Sequence, residues 1–248
     1  MRVNRSIELI AIADFPLVRS GDDLAELVAG FPLRDDDILV VAQKIVSKSE
    51  GRMVALDSVK PSAEAQRLAL KVEKDPRLVE LILSESVEIV RASPGLLIVR
   101  HRLGFTLANA GIDASNVAGE DQVLLLPEAP DESAENLRSG IKIEAEKNVG
   151  VIISDSWGRP WRLGTVGFAI GVAGLPAVVD LCGQPDLDGR LLEATSIGLA
   201  DELAAAASLL MGQADEGTPV IVVRGLSLPL LTGSAKDLVR PHETDVFR

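Results

Sequence analysis

Asp155 follows Val151-Ile152-Ile153-Ser154, a run of apolar and small residues that reads as a short buried strand with a carboxylate just past its end. Ser156, Trp157, Gly158, Arg159, Pro160, Trp161 and Arg162 come next, and glycines recur at 164, 167, 171 and 174. An acid at a strand end, two guanidiniums and a glycine-permissive backbone suit an anion site shared with a metal ion. The same residues also suit a tight strand–loop–strand connection with structural glycines and a surface ion pair. Spacing alone leaves both readings open.

Two further stretches carry the same kind of chemistry. Gln43, Lys44, Ser47 and Lys48 follow the apolar run Ile38–Ala42, so the two lysines share one side of a helix or reach a ligand at the strand end. Asn109 to Asn116 is a small, polar, glycine-containing loop that sets Asp113 and Asn116 on a turn. No phosphate-loop, dinucleotide-loop, HExxH, CxxC or GxSxG pattern occurs. With His101 and His242 the only histidines, a histidine triad or multi-histidine metal site is implausible, and both read as incidental surface residues. What remains is oxygen donors with Lys and Arg, a set that suits Mg²⁺ or Mn²⁺ shared with phosphate. Should Asp113 and Asp155 converge, two like charges ~4 Å apart repel by about 4 kcal/mol at an effective dielectric near 20, and a divalent cation removes that penalty.

The elements that must hold these groups can be read in outline. Ser6–Ile12 forms a first strand, and Asp22 or Asp23 caps a helix running through Val28. Strand Ile38–Ala42 follows. Pro61–Val72 is a helix, residues 77–90 a second helix with Glu80, Glu85 and Glu88 on its charged face, and 96–100 a strand. Phe105–Ala108 and 123–126 are strands, and Asp131–Lys147 an amphipathic helix with Leu137 and Ile141 inward. Val178–Leu181 is strand-like, Leu192–Gly212 a long helix, 213–219 a polar loop and Val220–Arg224 a last strand; the tail from Thr232 has little to pack. Strands alternating with helices give an α/β or α+β body with mixed sheets.

Composition narrows the partners. At 248 residues the chain buries a sizeable core, and with 3% aromatics and no tyrosine that core is aliphatic. A net charge of −12 and few stacking platforms argue against nucleic acid, though not against a small phosphate-bearing ligand. No apolar run of 18 residues suggests a membrane span, and the N-terminus does not read as a signal peptide, so a cytoplasmic protein is expected. The lone Cys182 excludes an internal disulfide and reads as a small buried hydrophobe.

Taken together, VVAQKIVSKSEGR at 40–52, NAGIDASN at 109–116, the 151–174 stretch and LLMGQADEGTPVIVVRG at 209–225 resemble the coenzyme F420 gamma-glutamyl ligases, in that family's order along nearly the whole chain. The resemblance implies one ligase unit over residues 1–248, two-lobed, with mixed β-sheets flanked by helices and an intertwined homodimer. It implies GTP-dependent ligation of L-glutamate to the terminal carboxylate of the deazaflavin F420-0 through an acyl phosphate, with further glutamates gamma-linked. It further implies two Mn²⁺ or Mg²⁺ sites, with K⁺ as an activator.

By position, the resemblance makes Asp113 and Asp155 ligands of a first metal, and Ser156 and Gln213 ligands of a second. It leaves Arg159 and Arg162 as grips for phosphate or substrate. It assigns nucleotide contacts to Phe15, Pro16, Leu17 and Val18, to Gln43, Lys44 and Lys48, to Asn116, and to Leu210, Met211, Gly212, Gln213, Ala214, Asp215, Glu216 and Gly217. Gln43-Lys44 stands where some relatives carry Ser-Thr, and Gln213 where some carry Glu. Some family members continue into a flavin-reductase-like domain, so this chain is either a stand-alone ligase or one domain of a fusion. A phosphohydrolase with another acceptor and a non-catalytic nucleotide-binding protein are the competing readings.

Overall fold

The computed structural model describes residues 6–115, 121–226, 228 and 232–245. In chain order its first half contains β1 (Glu8–Ala11), α1 (Leu24–Ala29), β2 (Ile38–Ala42), α2 (Gln43–Ser49), β3 (Met53–Ala55), α3 (Ala63–Val72) and α4 (Pro76–Ser84). Next come β4 (Ser86–Ser93), β5 (Leu96–His101), β6 (Thr106–Ala108) and β7 (Gln122–Leu124). Then follow α5 (Pro130–Glu144), β8 (Gly150–Arg159), β9 (Arg162–Ala173), β10 (Val179–Asp180), β11 (Ser196–Ile197), α6 (Leu199–Met211) and β12 (Val220–Arg224).

The central sheet has the order β1-β12-β2-β8-β9 and is mixed, as expected for an α/β or α+β protein. Only β2 and β8 are parallel; the other pairs are antiparallel. These two strands lie inside the sheet, which is why Ile38–Val41 and Val151–Ile153 are continuous apolar runs: all seven side chains are buried. Helix α6 packs against β9, β12, β1, β2 and β8, and α5 packs on β8 and β9 with α1 alongside. Asp23 caps α1, accepting from the N–H groups of Ala25 and Glu26. A second apolar cluster gathers Ala65, Val72, Val79, Ile82, Leu97 and Val99 beneath the small sheet β4-β5-β6. Among the described residues no helix is long and apolar enough to cross a membrane.

The outline departs from expectation in several places. Helix α4 stops at Ser84, and the expected helical stretch to Val90 is instead strand β4, because Val87, Ile89 and Val90 are β-branched. Glu88 and Ile89 pair with Arg100 and Val99 of β5, and the register shifts at Val87 and Val90. Glu85 is therefore not on a solvated helix face. It binds Arg52 (2.9 Å), Arg102 (2.9 Å) and His101 (3.3 Å), and although burial pushes its carboxyl up, these partners hold it at about 2. His101 is fully buried rather than a surface residue, its Nδ1 accepting the Leu103 N–H. The side chain of His242 falls outside what is described.

Helix α6 begins seven residues later than expected, since Thr195-Ser196-Ile197-Gly198 disfavours helix and Ser196–Ile197 pairs with β10. Cys182 is exposed, not buried, in the turn after β10. The C-terminal segment does pack: Ser234 caps a short 3₁₀ turn, Ala235 is buried, and Leu238 and Val239 lie on the main core.

The largest difference concerns Asp155. The chain does not leave the sheet after Ser154. β8 runs on to Arg159, turns through Pro160 and Trp161, and returns as β9. Asp155 thus sits mid-strand, opposite Phe168, in a long hairpin. Glycines at 158, 164, 167 and 171 break the strand pattern and make that hairpin read as a loop.

Candidate active site

Strand β2 hands directly into α2, placing Gln43 and Lys44 at the helix start and Lys48 one turn on, on the same face. Parallel pairing of β2 with β8 sets Ala42 level with Ser154, so Asp155 and Ser156 emerge beside Gln43 and Lys44. On the other side, α6 delivers the loop after Met211. Gly212 takes φ +72 there, and the Glu216 carboxylate closes the turn by accepting the Ala214 N–H at 2.8 Å. Thr218 Oγ1 donates to the Leu210 carbonyl (2.8 Å), tying the loop's exit to the helix end.

These pieces meet round one cleft of about 440 Å³. It is lined by Phe15, Pro16, Leu17, Val18, Gln43, Lys44, Lys48, Asp155, Ser156, Met211, Gly212, Gln213, Ala214, Asp215, Glu216 and Gly217. Almost every residue expected at a nucleotide site is therefore in one place. Leu210 stands outside the lining and contributes through its carbonyl. Asn116 lies outside the described residues. Arg159 and Arg162 pair across the hairpin tip, four strand residues and about 13 Å beyond Asp155, and line neither this cleft nor its larger neighbour. The sequence reading missed Ser154, Ser208 and Thr218, small hydroxyl residues whose type alone marks nothing; only the sheet register and the α6 packing identify them.

Lys44 bonds Asp113 and acts on Asp155 only through its charge. Its Nζ lies 2.8 Å from Asp113 Oδ2 and 2.7 Å from Ser115 Oγ. Burial raises Asp113, but Lys44 and Ser115 outweigh it and hold the carboxyl below the ordinary range. Asp155 behaves oppositely. Burial pushes it up to about 7 and the Asp113 charge adds to that, against the Ser156 N–H (2.8 Å), Lys44 and Gln43. Lys48 is lowered by burial and then by Lys44. Ser156 Oγ donates to Gln213 Oε1 at 2.8 Å, so the second expected metal pair is already in contact. The Gln43 amide is buried; its Oε1 accepts from Ser47 Oγ, and its Nε2 is turned toward the Asp155 carboxylate without completing a hydrogen bond of good geometry.

The donor set fits a hard divalent cation. Asp113, Asp155, Ser156 and Gln213 offer carboxylate, hydroxyl and amide oxygens, and Gln43 Nε2, beside Asp155 with no completed hydrogen bond, is a donor suited to a phosphate oxygen. Among the described residues no three His, Cys, Asp or Glu cluster, so a cation here would draw on hydroxyl, amide and ligand oxygens, as Mg²⁺ and Mn²⁺ commonly do.

A pH test follows. The folded value of Asp155 lies above its ordinary 3.8, so in the metal-free protein its contribution to stability is complete at low pH and lost as pH rises through about 7. Divalent ions need the ionised form and compete with that proton. Mn²⁺ should therefore raise the melting temperature more at pH 8 than at pH 6, affinity falling by up to about 10-fold per unit below 7 for one displaced proton. Equal shifts at both pH values would remove Asp155 from the metal shell.

Residues 13–225 match the family model for F420-0:gamma-glutamyl ligase. The coenzyme F420:L-glutamate ligase of Methanocaldococcus jannaschii is 45% identical over 250 residues, covering 100% of this chain and 99% of that protein. Its counterpart from Methanothermobacter thermautotrophicus is 48% identical over 250 residues (98% and 99% of the two chains). That of Haloarcula marismortui is 47% identical over 249 residues (98% and 96%).

Proposed function

The chain belongs to the F420-0:gamma-glutamyl ligase family, and from that premise we propose that it is a GTP-dependent amide ligase joining L-glutamate to the terminal carboxylate of F420-0 in coenzyme F420 biosynthesis. The observation that carries this reading is the meeting of Lys44, Asp155 and Ser156 with the 212–217 loop in one cleft, with Asp113 outside its lining and tied to it through Lys44. In the first step the F420-0 carboxylate oxygen attacks the γ-phosphorus of GTP, the β–γ bridge breaks, and GDP leaves. The resulting acyl phosphate is then attacked at its carbonyl carbon by the α-amino group of glutamate, which loses a proton as the amide forms and phosphate departs.

Little of this needs a protein nucleophile; positioning and charge neutralisation suffice. Lys44 and Lys48 face the triphosphate, and Gln43 Nε2 donates to a phosphate oxygen. Two Mn²⁺ or Mg²⁺ ions, held by Asp113 and Asp155 and by Ser156 and Gln213, would neutralise phosphate charge when bound. K⁺ activation and successive gamma-linked additions belong to the same reading. So does a homodimer; the exposed Trp161 and Leu163 at the β8–β9 hairpin tip are apolar groups that such a contact would cover.

The test is nucleotide turnover with GTP, Mn²⁺, F420-0 and L-glutamate. Phosphate should be released only when both acceptor substrates are present; release indifferent to glutamate would overturn the ligase reading. Lys48→Ala should raise the KM for GTP about 10-fold, the scale of one charge-assisted contact, with the KM for glutamate within about 2-fold. An unchanged GTP KM would take Lys48 out of the nucleotide site.

A further inference from the structure

On the hairpin that carries Asp155 a second and larger cleft opens, of about 1290 Å³ against about 440 Å³ for the first. Its lining is unusual for this chain. Phe105, Trp157, Trp161 and Phe168 are four of only seven aromatic residues in the whole sequence, and both tryptophans are among them. Trp157 lies parallel to Phe168, with ring centres 4.7 Å apart and planes within 5°, and Phe105 leans on it at 5.9 Å. Its plane is thereby fixed. At the tip Trp161 is 82% exposed and takes φ +57, the left-handed position of the two-residue turn Pro160-Trp161 that joins β8 to β9.

Strand geometry connects this aromatic wall to the acids. Asp155 and Phe168 are cross-strand partners, and Trp157 is two residues further along β8, so all three share one face of the hairpin. Two residues of strand span about 7 Å, which a flexible tail bridges easily. Four cations line the cleft with three acids, Glu88, Asp201 and Asp245. Arg100 pairs with Glu88 (2.9 Å) while its buried Nε has no acceptor, Arg102 is held by Glu85, and Lys236 and Arg240 stand at the C-terminal side. In a chain of net charge −12 the cleft thus keeps a small cationic excess, which a ligand bearing a carboxylate can meet.

Resting on the ligase reading above, we propose that this cleft binds the acceptor substrate: its planar deazaflavin ring packs against Trp157, and its carboxylate-bearing tail runs along β8 to Asp155. The nucleotide then approaches the same carboxylate from the smaller cleft, and the two substrates do not compete. Trp157 is a binding residue here, setting preference for a planar aromatic acceptor.

Because the only two tryptophans are in the cleft, intrinsic fluorescence reads it directly. In Trp161→Phe, which leaves Trp157 as sole emitter, F420-0 should quench emission saturably, both without and with saturating GDP and Mn²⁺. GDP with Mn²⁺ alone should leave emission unchanged. Trp157→Leu should raise the KM for F420-0 about 10-fold, the scale of one lost stack, with the GTP KM within about 2-fold; Trp157→Phe should restore most of the loss. Glutamate ligation with no quenching of Trp157 would overturn the inference and leave the ligase reading standing. Quenching by GDP in competition with F420-0 would assign the cleft to the nucleotide and overturn it as well. Neither ligation nor quenching would overturn both.

Discussion

Asp155→Asn is expected to lower turnover by about 10³-fold or more while leaving the fold intact, on the scale seen when one stabiliser of transition-state charge is removed. Asparagine keeps the shape and can still accept the Ser156 N–H, but it carries no charge to hold a cation. The melting temperature separates this from misfolding. In the metal-free wild type at pH 8, Asp155 is ionised in a half-buried site beside Asp113; the neutral amide removes that repulsion. The variant should therefore melt at or slightly above the wild-type temperature without metal and show no stabilisation by Mn²⁺. A wild-type rate would remove Asp155 from the site, and a lower metal-free melting temperature would mean that its charge is structural.

Gly167→Ala should damage the same site from behind. A Cβ built on Gly167 lies 2.4 Å from the Ala204 carbonyl oxygen and 2.8 Å from its carbon, backbone atoms in the middle of α6. No side chain can swing aside to make room, so the helix must shift off β9. Overpacking of this kind costs about 1–3 kcal/mol. For a chain of this size that is a fall of roughly 2–12 °C in melting temperature. α6 also carries Ser208 and Met211 and launches the Gly212–Gly217 loop, so the GTP KM should rise and turnover fall. Thermal melts with GTP kinetics check both effects. Unchanged stability and unchanged GTP affinity would show that α6 does not set the loop's position.

How much of this the sequence revealed depends on the residue. Asp113, Asp155, Lys44 and Gln213 were legible as types, because charged and amide side chains beside apolar runs stand out, although Asp155 proved to lie mid-strand and not at a strand end. Their meeting was not legible. It rests on the parallel register of β2 and β8, which sets Ala42 level with Ser154, and pairing register leaves no local mark in the chain. The hairpin was hidden for a related reason. Glycines interrupt the alternation of β9, yet Gly167 is glycine because a helix backbone lies against it and not because the chain turns there. Glu85 and His101 were misread because a charge or an imidazole on an apparent surface face looks the same whether or not Arg52 and Arg102 arrive from elsewhere. Helix α6 was overextended because Leu192 to Ala194 continue its apolar, alanine-rich composition across Thr195–Gly198, where the strand pairing takes over. Arg159 and Arg162 were close to Asp155 in number only: an extended strand carries them away, whereas a loop would have folded them back.

The most direct test of the account follows the oxygen atoms of the acceptor carboxylate. F420-0 labelled with ¹⁸O in its terminal carboxylate is incubated with the enzyme, GTP, Mn²⁺ and L-glutamate, and the products are read by mass spectrometry. Attack of that carboxylate on the γ-phosphorus, followed by amide formation, leaves one labelled oxygen in the released phosphate and one in a product heavier by a single glutamyl unit. Phosphate free of label, or labelled phosphate without glutamylated product, would contradict it.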